Sequence, residues 1–151
     1  PALSELKKTG KVLLTSGEVA KRGAPVFTAL VVTDDFAEAN KEFVTKYVGL
    51  IDKYYTSYTN DPKSWGPDSE NAKLIAKLQG GTPAENAERL KATVAIPLSE
   101  QIGKDWLTGG VATPLKDTAQ FLKEQRKITA VKDSYAKFVD PQYASAVLAS
   151  Q

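Results

Sequence analysis

The chain has 151 residues, enough for one ordinary domain or a piece of a larger one. Its composition, 42% hydrophobic and 25% charged, is that of a globular protein and excludes collagen-like, low-complexity and coiled-coil chains. The net charge is only +2 and no basic run is longer than two residues, so the sequence predicts no nucleic-acid partner.

Histidine and cysteine are both missing from the sequence. Their absence excludes histidine-based triads, thiolate zinc sites and disulfides within these residues, and we expect no metal and no cofactor. No apolar run is long enough to span a membrane. There is no methionine, and no leader-like segment opens the chain, so we expect a mature, trimmed or internal segment.

Two apolar runs near the start predict strands. Val12 to Leu14 follows a turn signal, and Val26 to Val32 is rich in β-branched residues and almost continuously apolar. Such a run is typical of a strand buried on both faces of an α/β sheet. The polar residues 16–22 between them predict a loop or a single helical turn.

From Thr33 onward the pattern predicts helices. Asp35 and Glu38 resemble a capping box that opens a short helix before Asn40. Apolar residues from Phe43 to Tyr58 then recur with helical spacing, until Pro62 ends this long helix. Further helices are predicted at Ser69–Gln79, from Thr82-Pro83-Ala84-Glu85, from Thr113-Pro114 and over Pro141–Leu148.

The predicted fold class is therefore α/β, helix-rich with two or three strands. So few strands make a poor independent sheet, because a parallel sheet needs several strands that are covered on both faces. We therefore expect that sequence outside this chain completes the sheet.

Aromatic and acidic residues offer candidate sites, each with a plainer structural interpretation. Helical spacing favours packing over a ligand groove for Tyr47, Tyr54, Tyr55 and Tyr58. Helix capping explains the pair Asp34-Asp35 more simply than cation binding does. Trp65 and Trp106 could stack on a ligand, but anchoring a loop is the favoured role.

The segment from Gly23-Ala24-Pro25 into the second strand is the place where geometry favours a site. Small and rigid residues before a buried strand let the first side chains, Phe27 and Thr28, face a cleft. Ligands of α/β proteins gather at such sheet-edge crevices. On these grounds alone, the plain start of a strand is an equally good interpretation.

Three blocks of the chain resemble the C-terminal half of the taurine-binding periplasmic proteins of ABC importers. The blocks are GKVLLTSGEVAKRGAP, ALVVTDDFAEANKEFV and DTAQFLKEQRKITAVKDSYAKFVD, and the resemblance extends from Pro1 to about Val139. The resemblance implies a type II periplasmic-binding-protein fold, in which two lobes close on a ligand. Residues 1–25 would form the crossover from the second lobe, and residues 26–151 the C-terminal part of the first lobe.

The resemblance also implies a function without chemistry. The ligand would be taurine or a related alkanesulfonate, with Ala24, Pro25, Phe27 and Thr28 at the binding site, and the partner would be the ABC permease at the inner membrane, reached from the periplasm. The family carries an aspartate where this chain has Thr28, which offers a hydroxyl and no charge to an ammonium group. That departure makes an uncharged alkanesulfonate or another small organic anion an alternative to taurine.

Two other functions stay open. The same fold serves metabolic enzymes, such as those that make a thiamine pyrimidine precursor, but their catalytic histidine or cysteine would have to lie outside this chain. A self-sufficient helical interaction domain is the other alternative, although it would leave the strand at Val26 to Val32 without partners. An isolated fragment with an unpaired strand edge could also self-associate.

Overall fold

A computed structural model of the chain describes residues 6–22 and 26–151, and helices are the regular elements of these ranges. We number the α-helices in chain order: α1 Ser16–Lys21, α2 Asp34–Ala39, α3 Lys41–Asn60, α4 Glu70–Gln79, α5 Pro83–Lys91, α6 Leu98–Gln101, α7 Ala112–Glu124 and α8 Gln142–Ala149. Two 3-10 turns, Pro62–Trp65 and Ala136–Phe138, lie between them. No helix in the described ranges is long and apolar enough to cross a membrane.

The predicted strands are not formed in the described part of the chain. Val12 to Leu14 and Val26 to Val32 have no regular secondary structure, and Leu13 and Val31 are 89% and 81% exposed. The physical reason is that a strand is held by hydrogen bonds to a neighbouring strand, and residues 6–22 and 26–151 supply none. The helix-rich character is confirmed, whereas the two or three strands are absent from these ranges.

The first two helices refine the sequence-based prediction. Residues 16–21 form the helical turn of α1, which was one of the two alternatives for this segment. The cap of α2 is Thr33, whose hydroxyl accepts a hydrogen bond from the backbone N–H of Phe36 at 3.4 Å. The predicted capping box of Asp35 and Glu38 is therefore wrong. Asp34 and Asp35 instead lie in the first turn, where the helix dipole favours carboxylates.

Helix α3 has the predicted length and end. It stops at Asn60, two residues before Pro62. Lys46 donates a hydrogen bond to Glu42 at 2.6 Å, and this contact lowers the pKa of the Glu42 carboxyl. Only part of the apolar stripe is covered, however. Val44 is the buried residue of the helix, while Tyr47, Tyr54 and Tyr55 are exposed, so the predicted core or core-rim position is wrong for these three. Tyr58 is partly buried, as a core-rim residue would be.

The chain divides into two compact units: one contains residues 1–15 and 53–95, and the other contains residues 16–52 and 96–151. In the first unit α4 packs on α5, and Ala72 of α4 and Ala87 of α5 are both buried. Asn86 is only 2% exposed and ties the connecting turn to α5, because its amide donates to the carbonyls of Gly80 and Thr82 at 3.0 Å each. Leu78, near the end of α4, is 74% exposed.

The second unit is built around α6 and α8. Its small core is formed by Leu98, Ala144 and Val147, and four partly buried residues pack against it: Val48, Ile102, Leu107 and Leu148. The hydroxyl of Tyr143 donates to the carbonyl of Ala37 at 3.3 Å, which links α8 to α2. Helix α7 starts at Ala112, one residue before the predicted Thr113, and buries Ala119.

Candidate functional site

The predicted site residues lie at the start of the extended segment that leads into α2. Ala24 and Pro25 fall outside the described residues. Phe27 is partly buried and Thr28 is exposed, in a stretch without regular secondary structure. Neither of the two depressions described below is lined by Phe27 or Thr28.

An apolar groove follows directly after Thr28. It has a volume of about 140 Å³ and no polar surface, and we define it by its lining residues Leu30, Val32, Phe36, Phe43, Val44 and Tyr47. Leu30 and Val32 are two positions apart, so in an extended chain they point to one side while Val31 points to the other. Val31 is correspondingly the most exposed residue of the three. Both faces of the segment are therefore apolar, and only one lies against helices.

Three aromatic rings form one wall of the apolar groove. Phe36 meets Phe43 edge to face, with 6.2 Å between ring centroids, and Phe43 stacks on Tyr47 at 6.1 Å with 13° between the planes. Phe36, Phe43 and Tyr47 are all exposed. The groove offers hydrophobic contact and no hydrogen-bond donor for a sulfonate, so its chemistry is that of a packing surface.

A second depression, which we call the polar pocket, lies between α2 and the start of α8. Its volume is about 200 Å³, and it is lined by Asp34, Ala37, Glu38, Lys41, Asp140, Gln142 and Tyr143. The carboxylate of Asp140 accepts hydrogen bonds from the backbone N–H of Gln142, at 2.8 Å, and from its side-chain amide. Of these lining residues, the sequence singled out Asp34 but not Asp140 or Tyr143. Asp140 lies 106 positions after Asp34, and no local sequence pattern connects residues so far apart.

The charge of the polar pocket decides which ligands it suits. Three carboxylates face one ammonium group, that of Lys41, so the pocket repels a sulfonate. No group of three or more acidic side chains in the described residues has the arrangement of a metal site. The polar pocket is therefore a solvated acidic surface beside the segment that carries Thr28.

Trp65 takes up the anchoring role that the sequence favoured. Trp65 lies edge-on to Tyr54 and Tyr58, with centroid distances of 6.4 and 6.2 Å, and holds the 3-10 turn against the end of α3. Its indole N–H is buried and has no hydrogen-bond partner among residues 6–22 and 26–151. Trp106 is partly buried, and its backbone carbonyl accepts the N–H of Val111 at 3.1 Å just before α7.

Comparison with known proteins places these features in context. A scan against family models finds no match for the chain. Over almost its whole length, however, the chain is similar to a ligand-binding protein of the bacterial periplasm. That relative is the taurine-binding periplasmic protein of Escherichia coli (strain K12), to which the chain is 34% identical over 143 residues. The resemblance predicted from the sequence is confirmed.

The match covers the two proteins unequally. The aligned residues make up 95% of this chain and 44% of the relative, and they correspond to the relative's C-terminal part. The chain thus spans less than half the length of the protein that it resembles.

Proposed function

We propose that this chain is the C-terminal part of the extracytoplasmic substrate-binding component of an ABC importer for taurine or a related alkanesulfonate. The observation that carries the proposal is the 34% identity to the taurine-binding periplasmic protein, sustained over 95% of the chain. Such a component works in the periplasm. It binds its ligand between two lobes, docks on the permease and catalyses nothing.

The proposal explains the exposed apolar surface of the segment 26–32. In a type II periplasmic-binding-protein fold this segment would be a strand of the first lobe, which residues 26–151 would complete, and residues 1–25 would cross over from the second lobe. A parallel strand of that kind is apolar on both faces because helices cover the sheet on both sides. The solvent exposure of Val31 and the bare wall of Phe36, Phe43 and Tyr47 fit a sheet whose other strands come from outside the chain.

The ligand would contact the start of this strand, at Ala24, Pro25, Phe27 and Thr28. The Thr28 hydroxyl can donate to a sulfonate oxygen or accept from an ammonium group, but it brings no charge. The taurine-binding family has an aspartate at this position, which would form a charge-assisted hydrogen bond to the ammonium of taurine. We therefore expect this protein to favour taurine less strongly than its relative does, and to accept sulfonates with uncharged tails.

The alternatives have less support. An enzyme on the same fold would need its catalytic histidine or cysteine outside these 151 residues, since the sequence contains neither. A self-sufficient helical interaction domain would leave the β-branched segment Val26 to Val32 without neighbouring strands to pair with.

The test is a thermal-shift panel on the chain joined to the N-terminal part that the proposal requires. The ligands are taurine, simple alkanesulfonates, sulfate, nitrate and a pyrimidine precursor. A ligand at a hundred times its Kd stabilises the folded state by about 2.7 kcal/mol, which raises the melting temperature by several degrees.

The pattern of shifts separates the possibilities. A rise with taurine or with alkanesulfonates, and none with sulfate or nitrate, supports a sulfonate-binding protein. A rise in melting temperature with the pyrimidine precursor alone would favour an enzyme on the same fold. No rise with any sulfonate would overturn the proposal, provided that the protein melts cooperatively.

A further inference from the structure

We draw no further inference here: the strongest candidate, the exposed apolar groove that Leu30, Phe36 and Phe43 line between the extended segment and helices α2 and α3, carries nothing because no described part of the structure shows what covers it.

Discussion

Thr82 and Glu85 cap helix α5 reciprocally. The backbone N–H of Glu85 donates to the Thr82 hydroxyl at 3.2 Å, and the backbone N–H of Thr82 donates to the Glu85 carboxylate at 2.7 Å. Two N–H groups that the helix cannot pair internally are thereby satisfied. Pro83 occupies the first helical position, where no hydrogen bond is lost.

This arrangement predicts a pH dependence of stability. The hydrogen bond from the Thr82 backbone, followed by that from its hydroxyl, lowers the pKa of Glu85 from its ordinary value of 4.5. Because the folded-state pKa lies below the unfolded one, the carboxylate stabilises the fold above the unfolded value, and this contribution is lost as the pH falls through the folded-state pKa. Glu85→Gln, which keeps an acceptor without the charge, should lower the free energy of unfolding at neutral pH and leave it unchanged in acid.

Urea unfolding of the unsubstituted protein and of Glu85→Gln, at neutral and at acid pH, measures this difference in the free energy of unfolding. Glu100→Gln, on an exposed glutamate of α6, serves as the control for loss of one negative charge. If Glu85→Gln and Glu100→Gln shift the stability equally at neutral pH, the capping interaction does not stabilise the helix.

The buried amide of Asn86 should matter more for stability than any exposed polar group of its unit. Asn86→Ala removes the donor that satisfies the Gly80 carbonyl and leaves a cavity, so we expect a loss of about 2 kcal/mol in the free energy of unfolding. Arg89→Ala is the comparison. Arg89 is itself exposed, and it donates to Asn86 at 3.0 Å in a partly buried contact and to Gln79 at 3.2 Å in an exposed one, so we expect its removal to cost less than that of Asn86. Chemical denaturation showing equal losses for both variants would contradict the assignment.

Gly49 offers a stabilising substitution in the middle of α3. A methyl group added at Gly49 would lie 3.5 Å from both methyl groups of Val147, which is ordinary van der Waals contact. Gly49→Ala should therefore raise the free energy of unfolding by about 0.5–1 kcal/mol, since alanine is the better helix former. Gly80→Ala is the control, because Gly80 has a φ of +80° and any side chain there is strained. Thermal melts should move in opposite directions for the two variants.

Arg126 ends α7 in a conformation that suits glycine. Its φ is +56°, its N–H donates to the carbonyl of Lys123 at 2.9 Å, and the N–H of Lys127 donates to that of Leu122 at 2.8 Å. These are the paired bonds of a Schellman motif, whose left-handed position is usually glycine. Arg126→Gly should relieve the cost of a left-handed conformation with a Cβ, but it also makes the unfolded chain more flexible. The net effect that we expect is a rise of about 0.5–1 kcal/mol in the free energy of unfolding.

The control for that substitution is Arg126→Ala, which removes the charge and keeps the Cβ. If alanine stabilises as much as glycine does, the gain comes from the lost charge and the backbone is not strained. Denaturation midpoints at low and high salt separate the two causes further, because only the charge effect is screened.

Thr28 provides the test of ligand choice. Thr28→Asp would place a carboxylate beside the proposed position of the taurine ammonium group. A hydrogen bond to a charged group is worth about 1.5–3 kcal/mol, which corresponds to roughly tenfold or more in affinity. We expect tighter taurine binding and weaker binding of an uncharged alkanesulfonate. Thr28→Asn introduces a side chain of similar size to aspartate but without its charge, so it should change neither the affinity for taurine nor that for the uncharged alkanesulfonate strongly. Calorimetry on the chain joined to its N-terminal part gives both constants, and equal affinities for all three proteins would place Thr28 away from the ligand.

The helices were predictable because their signals are local. The capping box at Thr82, the stop at Pro62 and the spacing of apolar residues in α3 act within a few positions of the chain, and the structure follows all three. Asp35 was misjudged for a local reason as well: Thr33, two residues earlier, also belongs to the residue types that cap helices, and it supplies the observed hydrogen bond.

Burial was harder to predict, because it depends on what lies opposite a residue. The spacing of Tyr47, Tyr54 and Tyr55 correctly shows that they share one side of α3, but it does not say whether that side is covered. The same holds for the strand at Val26 to Val32. Its composition favours pairing with other strands, and residues 6–22 and 26–151 contain none, so the segment has no regular secondary structure. Contacts such as that of Tyr143 with Ala37 have no sequence signal at all.

The two tryptophans of the sequence fall one in each compact unit, Trp65 in the first and Trp106 in the second. The chain therefore carries a separate fluorescent reporter for each unit without any label. Trp65 is flanked by two tyrosines that can transfer excitation energy to it, whereas Trp106 has no aromatic ring stacked on it among the described residues. Replacing either tryptophan by phenylalanine would make the emission of the other a direct record of when its own unit unfolds.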